Sequence, residues 1–104
     1  EPSPVSQETQ VPPAGLSLST GPNPFREAVS FFVSAKKPGW INLSIYDIRG
    51  RLVRRFEPIP AKDGSASLEW DGYDSSGKRA AAGIYLFKAE QDGHSAVSKA
   101  IRLN

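Results

Sequence analysis

The sequence predicts an all-β domain, a seven-stranded antiparallel β-sandwich of immunoglobulin or fibronectin type III style. Three observations predict it. Apolar residues recur with period two in several short runs, the spacing that turns one side of a pleated strand toward a core. Turn-forming pairs interrupt these runs every 8–12 residues or so, at roughly the spacing of a sandwich. No window carries a 3.6-residue apolar stripe, so no helix competes for the same residues.

Taken in order, the first 15 residues, EPSPVSQETQVPPAG, hold four prolines and only Val5, Val11 and Ala14 as aliphatic bulk. Such a stretch buries too little apolar area to order itself, and it reads as a linker from an upstream domain of the same chain. A short strand is expected over 16–20. Val29, Phe31 and Val33 then alternate with Ser30, Phe32 and Ser34. Ile41, Leu43 and Ile45 alternate with Asn42, Ser44 and Tyr46. Lys37-Pro38-Gly39 leads into that strand, and Arg49-Gly50 makes a tight hairpin to a poorly alternating strand over 51–56. Asp63-Gly64 is a turn before Ala66, Leu68 and Trp70. Tyr85, Phe87 and Ala89 form the sixth strand, and Asp92-Gly93 turns the chain into the last, where Val97, Ile101 and Leu103 share one parity. The Arg79–Ala82 run has helical propensity, but Gly83 limits it to one turn at most. Tyr85 fits either a tyrosine corner or an ordinary core position. The alternation runs to Leu103 with only Asn104 after it, so the folded domain, 16–104, is expected to close a longer natural chain.

Composition narrows the function. At 104 residues the chain suits one domain; 38% of residues are hydrophobic and 23% charged. It has neither an apolar run of membrane-spanning length nor the layout of a signal peptide. Without cysteine it has no disulfides and no thiolate metal site. A net charge of +2 is too mild to imply nucleic acid. Arg49, Arg51, Arg54 and Arg55 read as a solvated hairpin face, with an anionic glycan or lipopolysaccharide as the alternative partner. His94 stands alone beside a turn glycine, so no triad or histidine metal cluster can be assembled around it. Asp47, Glu69, Asp71 and Asp74 give carboxylates but no long loops to form a cleft for glycoside hydrolysis. These residues predict no enzyme and no cofactor.

Four ordered segments carry a family likeness: Gly21-Pro22-Asn23-Pro24-Phe25; Ile45 to Val53, IYDIRGRLV; Trp70 to Gly77, WDGYDSSG; and Ala82-Gly83-Ile84-Tyr85, followed by a last strand containing Lys99. Together they resemble the C-terminal sorting domain of proteins exported by the type IX (Por) secretion system. The same pattern resembles the immunoglobulin-like domain of flagellar hook-capping proteins. Physically the motifs are structural. Pro24 keeps Asn23 extended, and Phe25 is placed to plug the end of the core. Asp47 precedes Gly50 at a turn whose amides it can accept. Trp70 is a core anchor. Asp71, Gly72, Asp74 and Gly77 make a loop of capping carboxylates and turn glycines. A calcium loop is the other reading, but its twelfth position from Asp71 is Ala82, not glutamate.

The resemblance implies a non-catalytic tag that passes through the periplasm. Outer-membrane secretion machinery recognises it there and delivers the protein to the cell surface or medium, with surface lipopolysaccharide or polysaccharide as a further partner. It implies that the recognised part is the last strand, Ser98, Lys99, Ala100, Ile101, Arg102, Leu103 and Asn104, read by strand addition at its edge. The alternative is an extracellular immunoglobulin-like spacer or a carbohydrate-binding or adhesion module. For that reading, Phe32 and Tyr46 are outward aromatics suited to stacking on sugar, with Trp40 and Tyr73 also expected to be partly exposed.

Overall fold

A computed structural model describes residues 15–61 and 64–104. The stretch read as a linker lies outside the described residues except for Gly15, as does Asp63 of the expected Asp63-Gly64 turn. The described chain forms eight strands: β1 (Leu16–Gly21), β2 (Val29–Ala35), β3 (Gly39–Asp47), β4 (Leu52–Arg55), β5 (Ile59–Ala61), β6 (Ser65–Trp70), β7 (Gly83–Gln91) and β8 (His94–Arg102). They make two antiparallel sheets packed as a sandwich. One sheet has the order β1-β2-β6. The other has the order β4-β3-β7-β8, with β5 also paired to β3.

The expected count was seven; the additional strand is β5. It is three residues long and carries Pro60, which cannot donate to a ladder and is tolerated here because β5 has only one neighbour. β4 and β5 line the same edge of β3, β4 against Ser44–Tyr46 and β5 against Gly39–Ile41. The ladder with β4 shifts register between Ile45 and Tyr46, a bulge that shortens β4 relative to the expected 51–56.

Period two places the core. Val29, Phe31 and Val33 of β2 are buried against Ile41, Leu43 and Ile45 of β3 and Tyr85, Phe87 and Ala89 of β7. Trp70 is fully buried, and aromatic rings from both sheets meet edge to face around it. Trp70 lies 5.4 Å from Tyr85, 5.8 Å from Phe87 and 5.9 Å from Phe25, and Phe31 lies 4.7 Å from Phe87. Phe25, on the segment between β1 and β2, plugs the end of this column at 2% exposure.

The last strand departs from its expected parity. Val97, Ile101 and Leu103 face solvent, at 60%, 41% and 37% exposure. The core side of β8 carries Ala96, Ser98, Ala100 and Arg102 instead. The reason is the close approach of β1, whose Thr20 hydroxyl hydrogen-bonds that of Ser98 at 3.2 Å. Along Ala96–Ala100 that approach leaves room only for short side chains between the sheets.

Candidate functional site

Two regions hold the residues singled out from the sequence. The first is the turn and loop cluster at one end of the sandwich. Asp47 accepts from the Arg49 and Arg51 amides at 2.9 and 3.0 Å, and its second oxygen accepts from Arg51 Nε at 3.0 Å. Asp74 accepts from the Ser76 and Lys78 amides and from the Ser76 hydroxyl. Hydrogen bonds to the charged form hold both carboxyls below their ordinary value: for Asp47 the Arg51 amide is the largest cause, for Asp74 the Ser76 hydroxyl. Asp71 accepts from the Tyr73 amide at 3.0 Å and from Arg54 at 3.3 Å. These carboxylates are committed to backbone caps, the Ser76 hydroxyl and two arginines, so the loop has the bonding of a capped turn. Among the described residues no three of His, Asp and Glu come together as metal ligands.

The arginines do not form one face. Arg51 pairs with Asp47, whereas Arg54 turns away to the Tyr73 carbonyl at 2.8 Å and lies 5.1 Å from the centre of the Phe56 ring. Arg49 and Arg55 remain exposed. An open cleft beside this cluster is lined by Asp47, Arg49, Leu52, Asp74, Lys78 and Ile84, among others. Its charges are of both signs and its aspartates are already bonded, which leaves no free acid–base pair directed into it.

Sequence reasoning missed Arg79, whose guanidinium lies 5.1 Å from the Tyr73 ring and donates to the Asp71 and Arg26 carbonyls. It joins the loop to the segment after Phe25. The interleaving of Tyr73 and Arg79 in one loop was the available signal. Tyr85 donates from its hydroxyl to the Ala81 carbonyl four residues upstream, the bonding of a tyrosine corner, and burial raises its pKa.

The second region is β8. It pairs with β7 from Gly83↔Arg102 to Gln91↔His94 and has no strand on its other side among the described residues. The Asn23–Phe25 segment clips onto half of that edge. Asn23 Oδ1 accepts from the Ile101 amide at 3.0 Å, and Asn23 Nδ2 donates to the Lys99 carbonyl at 3.1 Å. The Phe25 amide donates to the Ile101 carbonyl at 2.9 Å, and the Leu103 amide donates to the Phe25 carbonyl at 2.7 Å. Arg26 reaches the Asn104 carbonyl. Of the edge expected to be read by strand addition, the Lys99–Leu103 part is thus largely occupied, and the Ser95–Lys99 part is open. Arg102, expected in the recognised strand, is buried at 8% exposure and cannot be read from outside.

The aromatics do not share a face either. Tyr46 lies on the outer side of the five-stranded sheet, whereas Phe32 lies on the outer side of the three-stranded sheet, on the opposite side of the molecule. Trp40 and Tyr73 are exposed, at 65% and 39%.

The family model of the FlgD Ig-like domain matches residues 31–95. The chain belongs to the FlgD Ig-like domain family. Among solved structures, FlgD from Xanthomonas campestris, described in connection with the hook capping essential for flagellar assembly, is similar at 32% identity and a TM-score of 0.60; 84% of this chain and 64% of that one are covered. Latent dimeric PorU from Porphyromonas gingivalis is similar at 26% identity and a TM-score of 0.71, over 85% of this chain. PorZ of the same organism, described as a surface component of the type IX secretion system, shares the fold at 20% identity and a TM-score of 0.62, over 84% of this chain. This FlgD Ig-like domain spans only 9% of PorU and 11% of PorZ. No curated protein matches the sequence. Among the described residues no helix is long and apolar enough to cross a membrane.

Proposed function

We propose that this domain is a non-catalytic sorting and anchoring module of a larger exported protein, recognised by outer-membrane type IX secretion machinery and held at the cell surface. The observation that carries the reading is the orientation of β8. Val97, Ile101 and Leu103 stand in water with Lys99 among them, while Ala96, Ser98, Ala100 and the stem of Arg102 take the core side. Apolar side chains kept in water on an edge strand forgo burial that the fold would otherwise gain, and such a row suits recognition by a partner. The four motif segments and the likeness to a PorU segment support the secretion setting.

The test fuses residues 16–104 to a reporter in a host that has the secretion system. The fusion is expected at the cell surface or in the medium. The variant Val97→Ser/Ile101→Ser, whose changes touch only the outer face, is expected to hold the reporter in the periplasm. A wild-type fusion that never leaves the periplasm, or a double variant exported as well as wild type, rejects the reading.

A second reading rests on Phe32. This ring is 50% exposed and flanked in register by Ser19 and Ser67, with Ser17, Ser30, Ser34 and Ser65 around it on the same face. A flat aromatic set among hydroxyls and almost without charge suits stacking on a neutral polysaccharide. Affinity electrophoresis through neutral glycans is then expected to show retardation that Phe32→Ala abolishes; equal mobility of the two proteins in every gel rules it out.

A further inference from the structure

The open half of the β8 edge has a pattern of its own. In an antiparallel ladder, successive residues turn their N–H and C=O groups alternately to one side and the other. Ile101 turns both of its groups away from β7, toward Asn23 and Phe25. Lys99, Val97 and Ser95 lie at even spacing from it and share that direction. The Lys99 carbonyl already accepts from Asn23. The Lys99 N–H and both backbone groups of Val97 and Ser95 have no hydrogen-bond partner among the described residues.

We infer that this stretch pairs with the same stretch of a second copy of the chain, antiparallel and centred on Val97, to join the two five-stranded sheets into one. The pattern is self-complementary, as a two-fold interface must be. The two Val97 residues exchange both of their backbone bonds, and each Lys99 N–H meets the Ser95 carbonyl of the other copy.

Neighbouring registers fail. Centring on Lys99 sets the two lysines directly opposite each other and runs the second copy into the Asn23–Phe25 clip. Centring on Ser95 sets Val97 against the Asp92-Gly93 turn, where the strand ends. Sliding the second copy by one residue sets the open groups against ones that already pair with β7. Centring on Ser98 sets Ser95 against Ile101, whose groups the clip holds, and centring on Ala96 carries Lys99 past the strand end to Gly93 of the turn, away from Glu90.

Charge favours the Val97 register. On the outer face Ser95 stands beside Glu90, and Val97 beside Lys88. Lys99 therefore lies opposite a short serine and extends across it toward Glu90 of the second copy. Among the described residues Glu90 is held only by an exposed contact with Lys88 at 3.6 Å. The two Lys88 residues fall three strand spacings apart, about 14 Å, farther than the screening length of about 8 Å at physiological salt. Val97, the most exposed large apolar residue of β8, is covered by its twin.

The inference does not rest on the secretion reading. Sedimentation velocity of the full 104-residue chain from micromolar to millimolar concentration is expected to show a reversible monomer–dimer equilibrium. Amide exchange is expected to show Val97 and Lys99 gaining protection as concentration rises, while Ile101 and Leu103 are protected throughout by the clip. Val97→Pro removes an outward N–H without removing a bond of the β7 ladder and is expected to be monomeric. Lys99→Glu is expected to weaken the dimer and Lys99→Glu/Glu90→Lys to restore it, which serves if the proline variant fails to fold. A chain monomeric at millimolar concentration, or a dimer that neither a folded Val97→Pro nor Lys99→Glu weakens, overturns the inference. So does Val97 protection that ignores concentration, because another segment of the same chain then holds the edge. Self-association is read on this chain alone and export on the reporter fusion, so failure of one is told apart from failure of the other.

Discussion

At Gly72 the backbone has room for a hydrogen and nothing larger. Its φ is +86°, and a Cβ there would stand 2.8 Å from the Glu27 carbonyl oxygen. That oxygen belongs to backbone and cannot swing aside as a side chain would. Gly72→Ala is therefore expected to lower stability by about 1–3 kcal/mol from the left-handed conformation alone, with the contact adding to it; urea unfolding measures the loss. Arg102 is the opposite case, a charged group with little to hold it. It is buried, and its Nε has no hydrogen-bond partner among the described residues. A buried donor left unpaired costs about 1–3 kcal/mol, so Arg102→Met, which keeps the apolar stem, is expected to leave the melting temperature unchanged or raise it. A clear fall would mean that the guanidinium has an important partner. Asp47 and Asp74 set the response to acid. Their folded pKa values lie below the ordinary 3.8, so the folded state binds fewer protons than the unfolded one. Their contribution is present above that ordinary value and lost as pH falls through the lowered folded values. Melting curves from pH 7 to pH 2 are expected to show Asp47→Asn/Asp74→Asn losing less stability than wild type below about pH 4, since asparagine keeps an acceptor without the charge.

At the scale of elements, legibility in the sequence followed side-chain size. β2, β3 and β7 were readable because large apolar residues occupy their core side and polar ones most of their outer side. β8 was misread for the same reason: Val97, Ile101 and Leu103 outweigh Ala96 and Ala100 in any hydrophobic pattern. What decides its parity is the nearness of β1, which no local pattern carries. β5 was missed because Pro58 and Pro60 argue against a strand unless its single-neighbour position is known. The NPF and last-strand motifs were each visible, but not that they bond to each other, since Asn23 and Ile101 lie 78 residues apart. That clip makes a prediction of its own. Asn23→Ala removes two side-chain hydrogen bonds to β8, each worth about 0.5–1.5 kcal/mol net. The Ile101 amide is expected to exchange faster, with Phe87 in the core little changed. Unaltered exchange at Ile101 would mean that Phe25 alone holds the edge.

Across the whole molecule the aromatic column ties one sheet to the other. Trp70 belongs to β6 of the three-stranded sheet, yet its ring neighbours Tyr85 and Phe87 lie on β7 of the five-stranded sheet, and Phe25 sits on the clip. Its indole N–H donates to the Tyr73 carbonyl, which Arg54 also holds, so the same residue anchors the Asp71–Gly77 loop. A single-core domain of 104 residues has a thin margin, on the order of 5–15 kcal/mol. Trp70→Ala is expected to remove about 3–5 kcal/mol of it, enough to bring the domain close to unfolding at body temperature. Because the lost contacts span both sheets, neither sheet has a core without the other, and the loss should appear in both together. Native-state amide exchange at Phe31 of β2 and at Phe87 of β7 is expected to weaken by the same free energy, and urea curves followed by fluorescence and by circular dichroism should coincide. Protection lost in β2 while β7 keeps its own would show that the five-stranded sheet stands alone, and the column would then be packing rather than the tie between the sheets.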